Sequence, residues 1–223
     1  MKKILTIIAL AICSMTMMAA DLHVGDLYYN IIPIEGGYAA EIVYDQSYKN
    51  LDSIEIPNYI TYQGLDLPII IGNGAFSGCK KLAGVYIPNT VIGIMKDAFY
   101  GTALYDNSAN WQNGALTIDG CLIQASEYIP ENYTIDNGVR LIADLAFYSC
   151  MLLKTVTIPN SVTWIGNRAF FFFNFGDYLH ASIRFDGTKK QWNNINKDEY
   201  WVEDRDEVDI TIHCKNGKIK FMY

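Results

Sequence analysis

Apolar and polar residues alternate in short stretches along this chain. In Val85-Tyr86-Ile87 and Val156-Thr157-Ile158 the alternation has a two-residue step. That predicts a three-residue strand with Val85 and Ile87 turned inward and Tyr86 outward. Pro88 and Pro159 follow at once. Proline cannot donate to a strand ladder, so the strand is expected to stop there. Val91, Ile94 and Phe99 then lie along a return path that would fill the interior.

The same pattern recurs on a longer scale. Residues 85–99 (VYIPNTVIGIMKDAF) and 156–170 (VTIPNSVTWIGNRAF) are identical at eight of fifteen positions. Ala-Phe pairs end at Phe76, Phe99, Phe147 and Phe170, with spacings of 23, 48 and 23 residues. Ile87-Pro88 and Ile158-Pro159 keep step, and Ile135-Asp136 occupies the same slot. Ile56-Pro57 stands farther from its Phe by an eight-residue insert, TYQGLDLP, which reads as a small hairpin turning at Gly64. One such unit cannot bury its own apolar face. Stacked units can, each strand pairing with the next. The predicted fold is therefore a β-rich solenoid of about 23-residue repeats with short parallel strands.

A solenoid needs its open ends covered. Residues 21–50 alternate enough to form a β cap at the N-terminus. At the C-terminus Thr188 is placed to cap a short helix carrying Trp192 and Ile195 on one face, and Asn216-Gly217 marks a hairpin. Asp119-Gly120 gives the same hairpin signal in a degenerate middle unit. The expected division is 1–20 signal peptide, 21–50 N-terminal cap, 51–185 repeats and 186–223 C-terminal cap.

The stretches IPNTVIGIMKDAFYG and IPNSVTWIGNRAF resemble the leucine-rich repeats of the BspA-like type, found in secreted and surface proteins of host-associated bacteria. The resemblance covers roughly residues 51–185. It implies a right-handed leucine-rich repeat solenoid with its parallel strands on one face. It also implies protein-protein interaction or adhesion, often toward host proteins such as those of the extracellular matrix, more than catalysis.

Composition narrows the setting. Lys2-Lys3, an apolar run from Ile4 to Ile12 and small residues ending at Ala20 have the layout of an export signal. The run is too short to span a bilayer, and Ile12 is a bulky neighbour for Cys13 as a lipoprotein site. The expected location is secreted or cell-surface, with the periplasm as alternative. Without Lys2 and Lys3 the chain has 15 basic and 24 acidic residues, a net charge of −9 that argues against a nucleic-acid partner. Cys79, Cys121, Cys150 and Cys214 make no CxxC, and His23, His180 and His213 are scattered. Zinc spacing is therefore absent. The acidic run 197–209 lacks the order of a calcium loop and reads as a solvated loop. No GxSxG or comparable constellation occurs, so no catalytic residue, metal or cofactor is expected.

Cys79 and Cys150 share one slot of the unit, which Thr102 and Phe173 fill elsewhere, so the slot reads as packing. Three rungs separate the two cysteines. At about 4.8 Å per rung they lie beyond the roughly 7 Å reach of a disulfide. The candidate binding residues are surface ones. Outward strand positions Glu55, Tyr86, Thr134, Thr157 and Arg184 would stack into a ladder on one face. A second row follows the Ala-Phe pair: Tyr100, Tyr148, Phe171 and Phe172. The alternative function is a glycan-binding or cell-surface assembly component without catalysis, and exposed aromatics side by side would suit a glycan. An apolar patch with a polar rim would suit a protein.

Overall fold

A computed structural model of the chain describes residues 20–148, 150–171, 182–202 and 210–221. The export-signal stretch, Phe172, Phe173, His180 and most of the acidic run lie outside the described residues. The chain winds into a stack of coils, and each regular coil touches its neighbours along three lines.

The first line is the expected V-x-I strand. Ser53–Glu55 pairs in parallel with Gly84–Tyr86. Farther on, Asn132–Thr134, Thr155–Ile158, Ser182–Phe185 and Ile210–Cys214 pair in parallel one after another. The second line was not anticipated. The return path is itself a strand, so Gly37–Ile42, Ile69–Ile71 and Val91–Ile94 form a parallel set. Cys121–Ala125, Leu141–Ile142, Trp164–Ile165 and Asn196–Lys197 form another. The third line runs through the Ala-Phe turns, where Phe76 N–H donates to Ala98 O at 2.8 Å and Phe147 N–H to Ala169 O at 2.9 Å.

The interior follows from the repeated apolar slots. Phe76, Phe99, Phe147 and Phe170 are all buried. Phe76 stacks on Phe99 with ring centroids 5.5 Å apart, and Phe147 on Phe170 at 5.1 Å. Each buried Phe contributes about 1.5–3 kcal/mol, and a stacked pair adds up to about 1 kcal/mol more. Cys79 and Cys150 are buried free thiols, and Thr102 in the same slot is buried too. The Thr102 hydroxyl donates to Phe99 O at 2.8 Å and accepts from Tyr105 N–H, capping the short helix Ala103–Asp106. Cys121 and Cys214 are also unpaired.

Before the first coil, Leu22–Val24, Leu27–Ile34 and Gly37–Ile42 form an antiparallel meander whose last strand starts the second ladder. The insert is a hairpin, Ile60–Tyr62 with Leu65–Leu67, turning at Gln63-Gly64. After the last coil comes the helix Lys189–Asn193. Thr188 and Gln191 form a reciprocal capping box there, and Trp192 is buried beneath it. The final hairpin turns at Lys215-Asn216, one residue earlier than the Asn-Gly pattern suggests. Lys189 N–H donates to Asn216 Oδ1, which fixes that loop against the helix.

The middle unit differs from the rest. Ala115–Ile118 and Cys121–Ala125 form a hairpin about Asp119-Gly120. Its side chains alternate between two cores: Leu116, Cys121 and Ile123 join the N-terminal cluster, while Ala115, Leu122 and Ala125 join the C-terminal one. The hairpin is thus a partition with both faces buried, which accounts for the unbroken apolar run CLI.

Candidate functional site

The partition interrupts the expected row of outward strand residues. Glu55 lies beside Tyr86, and Thr134, Thr157, Arg184 and His213 follow one another on paired strands. Among the described residues no pairing joins the 84–86 strand to the 132–134 strand, so the ladder is two patches and not one face. The reason is visible at Ile87. In regular units the N–H after the strand donates to the next strand, as Ile56 does to Tyr86 O and Ile135 to Thr157 O. Ile87 N–H instead donates to the Asp119 carboxylate at 2.8 Å. Arg140 completes the splice, its two Nη atoms donating to Val91 O at 2.9 Å and Pro88 O at 2.8 Å.

The partition also shapes the aromatic row. Asp144 N–H donates to Ile94 O at 3.0 Å, so at that point the second regular coil meets the next one directly. A little farther along, Ala125 N–H donates to Ala146 O, so the middle unit has entered between them as a wedge. There it carries Ala125 and Ser126, and no ring, opposite Phe147 and Tyr148. A hollow of about 770 Å³ opens beside it, lined from the middle unit by Gln124.

Aromatic rings stand on both sides of this hollow. Tyr100 packs edge-on against Tyr105, and Tyr105 against Trp111. On the other side Tyr148 stacks on Phe171 at 5.6 Å, with the Arg168 guanidinium over the Phe171 ring. Tyr100 is 59% exposed and Tyr148 43%. Three of the four residues of the aromatic row therefore line one hollow; Phe172 lies outside the described residues.

A polar row runs alongside and was missed in the sequence. Asn73, Lys96, Asp144 and Asn167 occupy one slot, two residues before each Ala-Phe pair, and Asp198 continues it. The repeat register that aligns the Phe residues aligns these as well. Asn167 N–H donates to Asp144 Oδ1 at 2.8 Å, and Asn167 Nδ2 to Asp198 Oδ1 at 2.7 Å. Burial raises the Asp144 carboxyl to about 6, and nearby Asp198 adds to this, while the backbone N–H groups of Asn167 and Lys96 oppose it. Among the described residues no group of three or more His, Cys, Asp or Glu is placed to hold a metal ion.

Stacked parallel coils with a repeated leucine-type core make this a leucine-rich repeat solenoid. The sequence profile of the BspA type leucine rich repeat region matches residues 43–174 in six copies, and the chain belongs to that family. No curated protein matches it. Among solved structures, it is similar to a leucine-rich repeat protein from Bacteroides ovatus, at 15% identity and a TM-score of 0.30, over 79% of this chain and 67% of that one. It is also similar to a leucine rich cell surface protein from Faecalibacterium prausnitzii, at 21% identity and a TM-score of 0.28. That likeness covers 86% of this chain and 56% of the other. Among the described residues no helix is long and apolar enough to cross a membrane.

Proposed function

We propose that this chain is an exported leucine-rich repeat module that binds a protein partner outside the cell, a host surface or matrix protein in the first instance, and does no chemistry on it. Residues 1–20 serve as the export signal, 21–50 and 186–223 close the two ends, and 51–185 present the binding surface. The observation that supports this most is the rigid outward row Thr134, Thr157, Arg184 and His213, continued by Lys218 on the last strand. Every one of these positions is held by strand pairing, so little ordering entropy opposes binding. The row gathers positive charge in a chain whose net charge is −9 after Lys2 and Lys3 are set aside, which suits an acidic patch on a protein surface. Glu55 and Tyr86 form a smaller second patch on the same line of strands.

The test is a binding screen of residues 21–223 against host extracellular-matrix proteins stripped of their glycans. The variants Arg184→Ala and Tyr86→Ala run beside it. The expected result is binding that weakens at least tenfold in Arg184→Ala, with a steep dependence on salt. Binding indifferent to both variants removes the site from the strand rows. A blank screen ends the proposal.

A further inference from the structure

The hollow beside the wedge has a chemistry different from that of the strand rows. We propose that it binds a neutral oligosaccharide, with Tyr100 and Tyr148 meeting the apolar faces of sugar rings and the Asp144, Asn167 and Asp198 row meeting their hydroxyls. Small-molecule sites are concave and combine aromatic walls with a few placed polar groups, and this hollow does the same. The rings are fixed before any ligand arrives: Tyr100 by Tyr105, and Tyr148 by its stack on Phe171. Tyr100 and Tyr148 both remain substantially exposed.

The polar groups are fixed as well. Asp144 is held by Asn167 N–H, and Asp198 by Asn167 Nδ2 and Tyr200 N–H. Carboxylate oxygens carry more than one acceptor site each, so these groups can still take sugar hydroxyls. A second hollow of about 400 Å³ adjoins the first through Tyr105 and Gln124 and is lined in part by Trp111 and Glu127. Together they give room for more than one sugar ring.

Charge selects within the class. Asp97, Asp144 and Asp198 face the main hollow against Lys96 and Arg168, and Asp106 and Glu127 line the adjoining one. Lys96 is already paired with Asp97. The excess of carboxylates repels sulfated or acidic glycans.

An array of neutral oligosaccharides, with heparin fragments and an oligolysine peptide as contrasts, reads the class directly with residues 21–223. Titration calorimetry on the neutral hits then reads the site. Tyr148→Ala and Tyr100→Ala are expected to weaken binding at least tenfold, Tyr148→Phe to hold it within threefold, and Tyr59→Ala, an exposed tyrosine away from the hollow, to leave it unchanged. Retention in Tyr148→Phe separates loss of the ring from loss of the fold. An array with no neutral hit, binding only of heparin or oligolysine, or neutral binding that survives both alanine variants overturns the proposal. The ladder variants Arg184→Ala and Tyr86→Ala are expected not to affect sugar binding, so this site and the protein-binding rows can fail separately.

Discussion

The residue before each Ala-Phe pair is in the left-handed region in all four copies: Gly74, Asp97, Leu145 and Arg168 have φ of 59°, 57°, 55° and 47°. Only the first is glycine, and each of the others costs roughly 1–2 kcal/mol in an L-residue, which the stacking of the adjacent Phe offsets. That turn was not legible in the sequence because its usual marker residue is present in one copy of four. The polar slot beside it was legible in principle, and it holds the most perturbed carboxyl facing the hollow. Asp144 titrates near about 6 when folded, above the roughly 3.9 of an unfolded aspartate. The folded protein thus holds this proton more tightly. Stability from this group is fully present below about pH 4 and is lost as pH rises through about 6. The loss is roughly 2–3 kcal/mol. Asp144→Asn keeps an acceptor for the Asn167 N–H and removes the charge. Urea unfolding from pH 4 to pH 8 should show the wild-type decline flattened in the variant, which becomes the more stable of the two at pH 8. Parallel profiles would show that Asp144 is not responsible.

At the scale of elements, the V-x-I strands, the insert hairpin and the capped Trp192 helix could be read from alternation, turn residues and a capping pair. The second ladder could not. Its strands are two to six residues long and buried on both sides over much of their length, as in Ile69–Ile71, so they show no alternation to read. The splice was equally hidden, since Asp119 and Arg140 act on backbone atoms about 32 to 52 residues away in sequence. It ties the second regular coil to the one beyond the partition, beside the direct contact of Asp144 N–H with Ile94 O. Arg140→Ala removes two charge-assisted hydrogen bonds to half-buried carbonyls and should cost about 2–4 kcal/mol. It should also loosen the coupling between neighbouring blocks on which repeat stability depends. Native-state hydrogen exchange is then expected to show residues 69–94 opening separately from residues 141–165. A single cooperative opening, with stability changed by less than about 0.5 kcal/mol, would contradict the splice.

Over the whole molecule, the stack is closed tightly enough to hide most of its thiols. Cys79, Cys121 and Cys150 are buried, and burial pushes the Cys121 and Cys150 thiols up to about 12. Cys214 is only half-buried, and Lys189 partly opposes the upward shift of its thiol. At pH 8, with no denaturant, a thiol reagent should label Cys214 of residues 21–223 first, and the other three only as fast as the coils open. Two or more rapidly labelled thiols would mean a looser stack than the one described. The period of the array was plain from the recurring Phe. Its interruption was only partly so, because a unit with no ring among Ala125, Ser126 and Glu127 resembles simple decay of the repeat. The wedge is better understood as a dislocation in a one-dimensional crystal. The lattice on either side is regular, and the opening exists only where the phase slips. Inserting or deleting a whole coil above or below it therefore slides the opening along the rod without altering its outline. Ser126 and Glu127 line only the smaller hollow, so Ser126→Phe with Glu127→Tyr narrows that one and leaves the opening between Tyr100 and Tyr148 in place.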